Sequence, residues 1–202
     1  MTRAQFILQV APSAGMAGVL TIIGLVLSAG SVTGSFLLPI VIVGVIVFVA
    51  MITFRDASGW NLGLLLVFAL IVGLLLGNFF PSLTALHWIL ALLIAAAIML
   101  MAAGLGTQLG GGVRLLGIAL WIGSWIYILG WVVIALFHFP KPVVLLWGMV
   151  GLIVFSGLST VWFASIAGIL NPFMGTSLAI DLFILGLNLC IAVVVILYGI
   201  HS

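Results

Sequence analysis

The sequence predicts an all-α integral membrane protein, a bundle of about seven transmembrane helices with almost nothing outside the bilayer. Three observations lead there. Of the 202 residues, 67% are hydrophobic. Only 3% are charged, four cations and two anions, against about a quarter in a soluble domain. The apolar runs are continuous rather than alternating, which fits helices and not the strands of a membrane barrel. In lipid every backbone polar group must be satisfied internally, and a helix does this within one segment. At ~20 residues per crossing the chain has room for roughly six to eight spans. It reads as a single domain over 1–202, with no separate soluble part.

Charges, prolines and glycine clusters mark the boundaries. The first span is read as Ala14 to Ser31 and the second as Ser35 to Phe54, with Pro39 near its start. Arg55-Asp56-Ala57-Ser58-Gly59 is the clearest polar turn. The third span runs from Trp60 to Gly77, and Asn78 to Ser82, containing Pro81, forms a turn. The fourth is Ala85 to Leu105. Gly106-Thr107-Gln108-Leu109-Gly110-Gly111-Gly112 reads as a flexible loop ending at Arg114. The fifth span is Leu115 to Phe137, and Pro140-Lys141-Pro142 closes the next turn. The sixth is Val143 to Ile166, and Asn171-Pro172-Phe173-Met174-Gly175 leads to the seventh, Thr176 to Ile200. The short cationic start, Met1-Thr2-Arg3, precedes an apolar stretch without an A-x-A cleavage site, so the first span is read as retained rather than as a signal peptide.

With seven spans, Arg3, Arg55 and Arg114 fall on one side of the membrane and Lys141 on the other. The positive-inside rule then places the N-terminus in the cytoplasm and the C-terminus outside. A bacterial inner membrane suits this pattern. No basic run exists of the kind that phosphate contacts need, so nucleic acid is excluded as a partner. One cysteine, Cys190, forms no intramolecular disulfide.

Trp60 and Trp88 sit near predicted interfaces, where amphipathic rings prefer to lie. Trp121, Trp125 and Trp131 lie deeper, within the fifth span. They serve either helix packing and lipid contact, or a surface for a pigment, a quinone or a partner subunit. Several of the 25 glycines share faces: Gly73 with Gly77, Gly123 with Gly130, Gly148 with Gly151. Small residues let helices approach closely where lipid removes the hydrophobic drive to associate.

Asp181 is the one acid inside a predicted span, and an ionisable group in the bilayer is a functional candidate by default. As a protonatable group it suits a pH gate or proton relay. The competing reading is structural: with Ser177 as cap, Asp181 falls near the first helical turn, where the dipole favours a carboxylate. Asn188, two turns on, lines the same face or bonds a neighbouring helix. Asp56 reads as a solvated turn residue. His87, His138 and His201 all fall near the outer face, where three imidazoles can bind a metal or haem iron, but their spacing matches no ligand motif. Zinc-protease, P-loop and nucleophile-elbow motifs are absent from the sequence, an aspartyl protease needs two aspartates, and the seventh span has no lysine to hold retinal. The chain therefore reads as non-catalytic and free of cofactors.

Three stretches carry a family likeness: Leu62-Gly63-Leu64-Leu65-Leu66-Val67-Phe68-Ala69-Leu70-Ile71-Val72-Gly73-Leu74, Gly151-Leu152-Ile153-Val154-Phe155-Ser156-Gly157-Leu158, and Ser177-Leu178-Ala179-Ile180-Asp181-Leu182-Phe183. Together with seven spans and an inside N-terminus they resemble the Bax-inhibitor-like transmembrane proteins of the bacterial type. The resemblance implies a bundle around a central last helix. It also implies, for some members, a pH-sensitive calcium leak latched by two aspartates, of which Asp181 matches one. The position of the other is taken by Trp162, and calcium wants six to eight oxygens. A non-catalytic accessory or regulatory subunit packing against a larger membrane complex is therefore the leading expectation. A cation leak gated at Asp181 is the alternative, and a haem subunit using His87 and His138 the third reading.

Overall fold

The computed structural model of the protein describes residues 10–28, 34–54, 60–79, 83–109, 113–137, 139–166 and 175–201. All the extended elements among them are helices: α1 (Ala11–Ser28), α2 (Gly34–Thr53), α3 (Trp60–Phe79), α4 (Ala85–Leu109), α5 (Arg114–Phe137), α6 (Lys141–Ile166) and α7 (Gly175–His201). Five, namely α1, α3, α4, α6 and α7, are long and apolar enough to cross a bilayer, while α2 and α5 carry shorter apolar stretches, Leu37–Thr53 and Leu115–Trp131. The helices follow the apolar runs closely, with two corrections. Gly106 to Leu109 is not loop but the last turn of α4. Glycine costs a helix about 1 kcal/mol in propensity, and here the close contact that Gly106 makes with α6 offsets it. Asn78 likewise belongs to α3, where its Nδ2 donates to the Leu74 carbonyl at 2.7 Å. Arg3, the Arg55–Gly59 turn with Asp56, Pro81, Gly110–Gly112, His138 and Asn171–Met174 lie outside the described residues.

Pro142 occupies the second position of α6. The missing N–H is no loss there, because first-turn donors have no intrahelical partner. Pro39, by contrast, lies inside α2, where it removes a backbone donor. The Pro140 carbonyl accepts from Val143 at 2.9 Å and starts α6.

The chain divides into two compact units: Met1–Pro81 with Leu170–Phe183, and Ser82–Ile169 with Ile184–Ser202. In the first, α1 and α2 both pack on α3. The buried face of α1 is Ala17, Thr21, Gly24 and Ser28, a stripe at helical spacing made only of small residues. It meets Leu70, Gly73 and Gly77 of α3. A Cβ on Gly24 would strike the Leu70 carbonyl, and one on Gly73 the Thr21 carbonyl. Ser28 fills the notch that Gly77 leaves. The two buried hydroxyls do not disturb this contact, since each donates to its own helix: Thr21 to the Ala17 carbonyl at 3.0 Å and Ser28 to the Leu25 carbonyl at 2.7 Å. On α2, Gly44 faces the Ile71 methyl, and the Phe48 and Phe68 rings meet at 5.4 Å. Asn61, fully buried, donates to the Phe54 carbonyl and so ties the end of α2 to the start of α3.

In the second unit α4 and α5 both pack on α6. α5 and α6 run antiparallel, and small residues open a place for a larger side chain along their length. Val161 faces Gly117, Leu120 faces Gly157, Val154 faces Gly123, Tyr127 lies on Gly151, and Trp147 lies on Gly130. On α4 the face bearing Trp88, Ala91, Ala95 and Ala102 is buried, and Gly106 continues it against α6. The later part of α7 seats Ala192, Val195 and Ile196 against Gly148, and its Gly199 against Leu145. α7 is the most enclosed candidate span, 44% buried against 22–28% for the other four.

The α1–α3 contact gives a direct expectation. Gly24→Ala should destabilise the detergent-solubilised protein by about 1–3 kcal/mol, the usual cost of overpacking. Gly15→Ala, which has open space around it, should be neutral or stabilise by up to about 1 kcal/mol through helix propensity. Thermal unfolding followed by circular dichroism measures both.

Candidate functional site

α7 carries both residues that the sequence singles out. It begins at Gly175, so Ser177 is inside the helix rather than its cap, and Asp181 is the seventh residue, beyond the first turn. The dipole acts within the first turn, so the structural reading of Asp181 as a first-turn carboxylate loses its main support. Asp181 is half-buried, directly after the buried Leu178, Ala179 and Ile180, and it is engaged by a neighbouring group rather than isolated. Asn188 is also half-buried, and its Nδ2 donates to the Ile184 carbonyl at 2.8 Å. Its donor thus serves its own helix rather than a neighbouring one. The structure assigns Asp181 to the first unit and Asn188 to the second.

The same habit recurs through the helices. Thr53, Thr107, Ser124, Ser156, Thr160 and Ser165 each donate to a carbonyl three or four residues earlier. So does Ser159, wholly buried, to Phe155 at 2.7 Å. This back-bonding lets a hydroxyl sit in an apolar helix without an outside partner. It also uses up donors that a polar pathway would need. The buried polar residues among those described are Thr21, Ser28, Asn61 and Ser159, and each donates to a backbone carbonyl.

The densest side-chain cluster lies between α5 and α6. Tyr127 is 2% exposed. Its ring stacks on Trp147 (5.8 Å, 6°) and meets Phe155 (5.4 Å, 83°) and Trp131 (6.2 Å, 87°) edge to face. Trp147 Nε1 donates to the Tyr127 carbonyl at 3.1 Å. The Tyr127 hydroxyl and Trp131 Nε1 are buried and make no well-formed hydrogen bond among the described residues. The sequence points to Trp131 but not to Tyr127. The available signal was spacing: Tyr127, Gly130 and Trp131 stand at the three- and four-residue intervals that share a helix face.

The other tryptophans divide. Trp60, the first residue of α3, is 81% exposed, as an interfacial ring should be, whereas Trp88 is 8% exposed and belongs to the interior. Trp121 and Trp125 are exposed and pair edge to face at 6.0 Å. Gly148 and Gly151, three residues apart, serve different neighbours, α7 and Tyr127.

Of the histidines, His87 alone has a side chain among the described residues. His87 is part of the start of α4: its Nδ1 lies 2.7 Å from Thr84 Oγ1 and accepts from the Thr84 N–H at 3.3 Å, while the Thr84 carbonyl accepts from the His87 N–H at 3.0 Å. His138 lies outside the described residues, and the side chain of His201 is likewise not described. Among the described residues no three metal-binding side chains come together. The stretches that carry the family resemblance lie in α3, α6 and α7, and Trp162 is half-buried beside Phe163 at 5.0 Å.

Comparison with protein-family models finds no match, and neither does comparison with curated proteins.

Two substitutions separate the features above. Asn188→Leu removes only a bond to its own helix and should change unfolding stability by less than about 0.5 kcal/mol. Gly130→Ala drives a methyl group into the Trp147 ring and should cost about 1–3 kcal/mol. Near-UV circular dichroism, dominated by the stacked Tyr127–Trp147 pair, should weaken in the second variant and not in the first.

Proposed function

We propose that this is a non-catalytic integral membrane protein, an accessory or regulatory subunit that packs against a larger membrane complex. It spans the bilayer seven times with its N-terminus in the cytoplasm, in a bacterial inner membrane, and belongs with the Bax-inhibitor-like proteins that it resembles. The observation that carries the reading is the fate of its polar side chains. The buried Thr21, Ser28, Asn61 and Ser159 donate to backbone carbonyls, and the Tyr127 hydroxyl and Trp131 Nε1 are enclosed in a cluster of rings, whereas a conducting path is lined with groups turned toward the ion or water. The apolar faces of α2 and α5 stay open, with Leu38, Ile46, Trp121 and Trp125 each more than half exposed. They offer area to lipid or to another membrane protein. Gentle solubilisation, a native gel and mass spectrometry of the band test the reading. A specific co-migrating membrane protein in stoichiometric amount supports it, and migration of the chain alone contradicts it.

One observation favours a second reading, a pH-sensitive cation leak. Asp181 lies past the first turn of α7, where the helix dipole no longer accounts for it, on the most enclosed candidate span. Proteoliposomes loaded with a calcium or proton dye test it. A leak at least tenfold slower in Asp181→Asn is the outcome for a gate at this residue, and equal flux in both removes Asp181 from the mechanism.

A further inference from the structure

We infer that the chain is an internal duplication: α1–α3 and α4–α6 are two copies of one three-helix unit, and α7 is an addition to the pair. The inference does not depend on the accessory-subunit reading. Each copy, taken by itself, is wired the same way. Its first and second helices both pack on its third.

The match extends to single residues. In the first copy, a Cβ on Gly24 of α1 would meet three points on one turn of α3: the carbonyl of Leu70, the Cα of Gly73 three residues on, and the amide nitrogen of Leu74 four on. In the second copy, a Cβ on Gly106 of α4 would meet the carbonyl of Thr160, the Cβ of Phe163 three residues on, and the amide nitrogen of Ala164 four on. In each copy the residue after that carbonyl is β-branched, and its methyl faces a glycine of the second helix. Ile71 Cγ2 is 3.0 Å from a Cβ on Gly44, and Val161 Cγ1 is 3.0 Å from a Cβ on Gly117. Gly24 thus corresponds to Gly106, Gly44 to Gly117, Leu70 to Thr160 and Ile71 to Val161. The two glycine contacts and the β-branched knob are kept, while the other side chains differ. This is what remains of a repeat when close backbone approach is the property that packing in lipid demands.

The duplication has a topological consequence. Three crossings carry a chain from one side of the bilayer to the other, so equivalent points of the two copies emerge on opposite sides, the relation found in inverted-repeat membrane proteins. The connections that follow α2 and α5, reached at Phe54 and Phe139, are such a pair.

Two measurements on the full-length protein test the inference. Phe54→Cys and Phe139→Cys, each made in a Cys190→Ala background, are treated in intact cells with a membrane-impermeant maleimide, and again after lysis. One should label in intact cells and the other only after lysis; labelling of both from the same side overturns the duplication. The second measurement asks whether matched contacts behave alike. Gly44→Ala and Gly117→Ala should each lower the melting temperature by roughly 2–4 °C. Adding Ile71→Ala to the first or Val161→Ala to the second should produce a loss smaller than the sum of the singles, because the colliding methyl is gone. Non-additivity in both copies supports the equivalence, and additivity in either overturns it.

Discussion

Everything in this fold depends on helix backbones coming close together. Lipid tails are as apolar as leucine, so two apolar helices gain little by hiding from them. What holds them is dispersion at short range, and that requires small residues at the contact. The α1–α3 contact is the clearest instance: Ala17, Thr21, Gly24 and Ser28 on one side, Gly73 and Gly77 on the other. Between α5 and α6 the same requirement is met differently. There a glycine on one helix receives a ring or a branched chain from the other, and Trp147 on Gly130 and Tyr127 on Gly151 make a reciprocal pair. The Trp147 N–H to the Tyr127 carbonyl adds direction to a contact otherwise governed by shape.

That requirement also shapes the chemistry. Helices this close leave little room for polar side chains between them, and most of the described serines and threonines turn back on their own helix. The Tyr127 hydroxyl and Trp131 Nε1 stay buried without a hydrogen-bond partner among the described residues, and the chain presents broad apolar faces. An accessory role fits such a molecule better than a lined pore does. Asp181 stands apart from the pattern, on a helix whose dipole does not explain it, and for that reason it keeps a second functional reading alive.

Much of this was legible in the sequence. Composition alone placed the chain among helical membrane proteins, and the apolar runs located all seven helices to within a few residues. The glycine pair at 73 and 77 announced its contact through four-residue spacing. Gly106 did not, because in sequence it opens a glycine-rich run that looks like loop, whereas in the structure it is helical and fits closely against Thr160 and Phe163. The start of α7 was also hidden: Ser177 has the chemistry of a cap, but the helix begins two residues earlier. Tyr127 gave no signal as a single residue, since its importance lies in Trp147 and Gly151, which come from the next helix. The match between α1–α3 and α4–α6 was invisible in residue identities, because it is preserved in contacts with the backbone.

The central claim is that the helices of a unit are held at backbone distance by their small residues. A disulfide formed across the α1–α3 contact tests it most directly. Ser28 and Gly77 face each other there so closely that a Cβ on Gly77 would lie 2.9 Å from the Ser28 Cβ, and a bridge, which needs about 4 Å, forms once the helices part by roughly 1 Å. With Ser28→Cys and Gly77→Cys in a Cys190→Ala background, mild oxidation in native membranes should form the intramolecular bond. Failure to cross-link, with both cysteines reactive to maleimide, would contradict the claim.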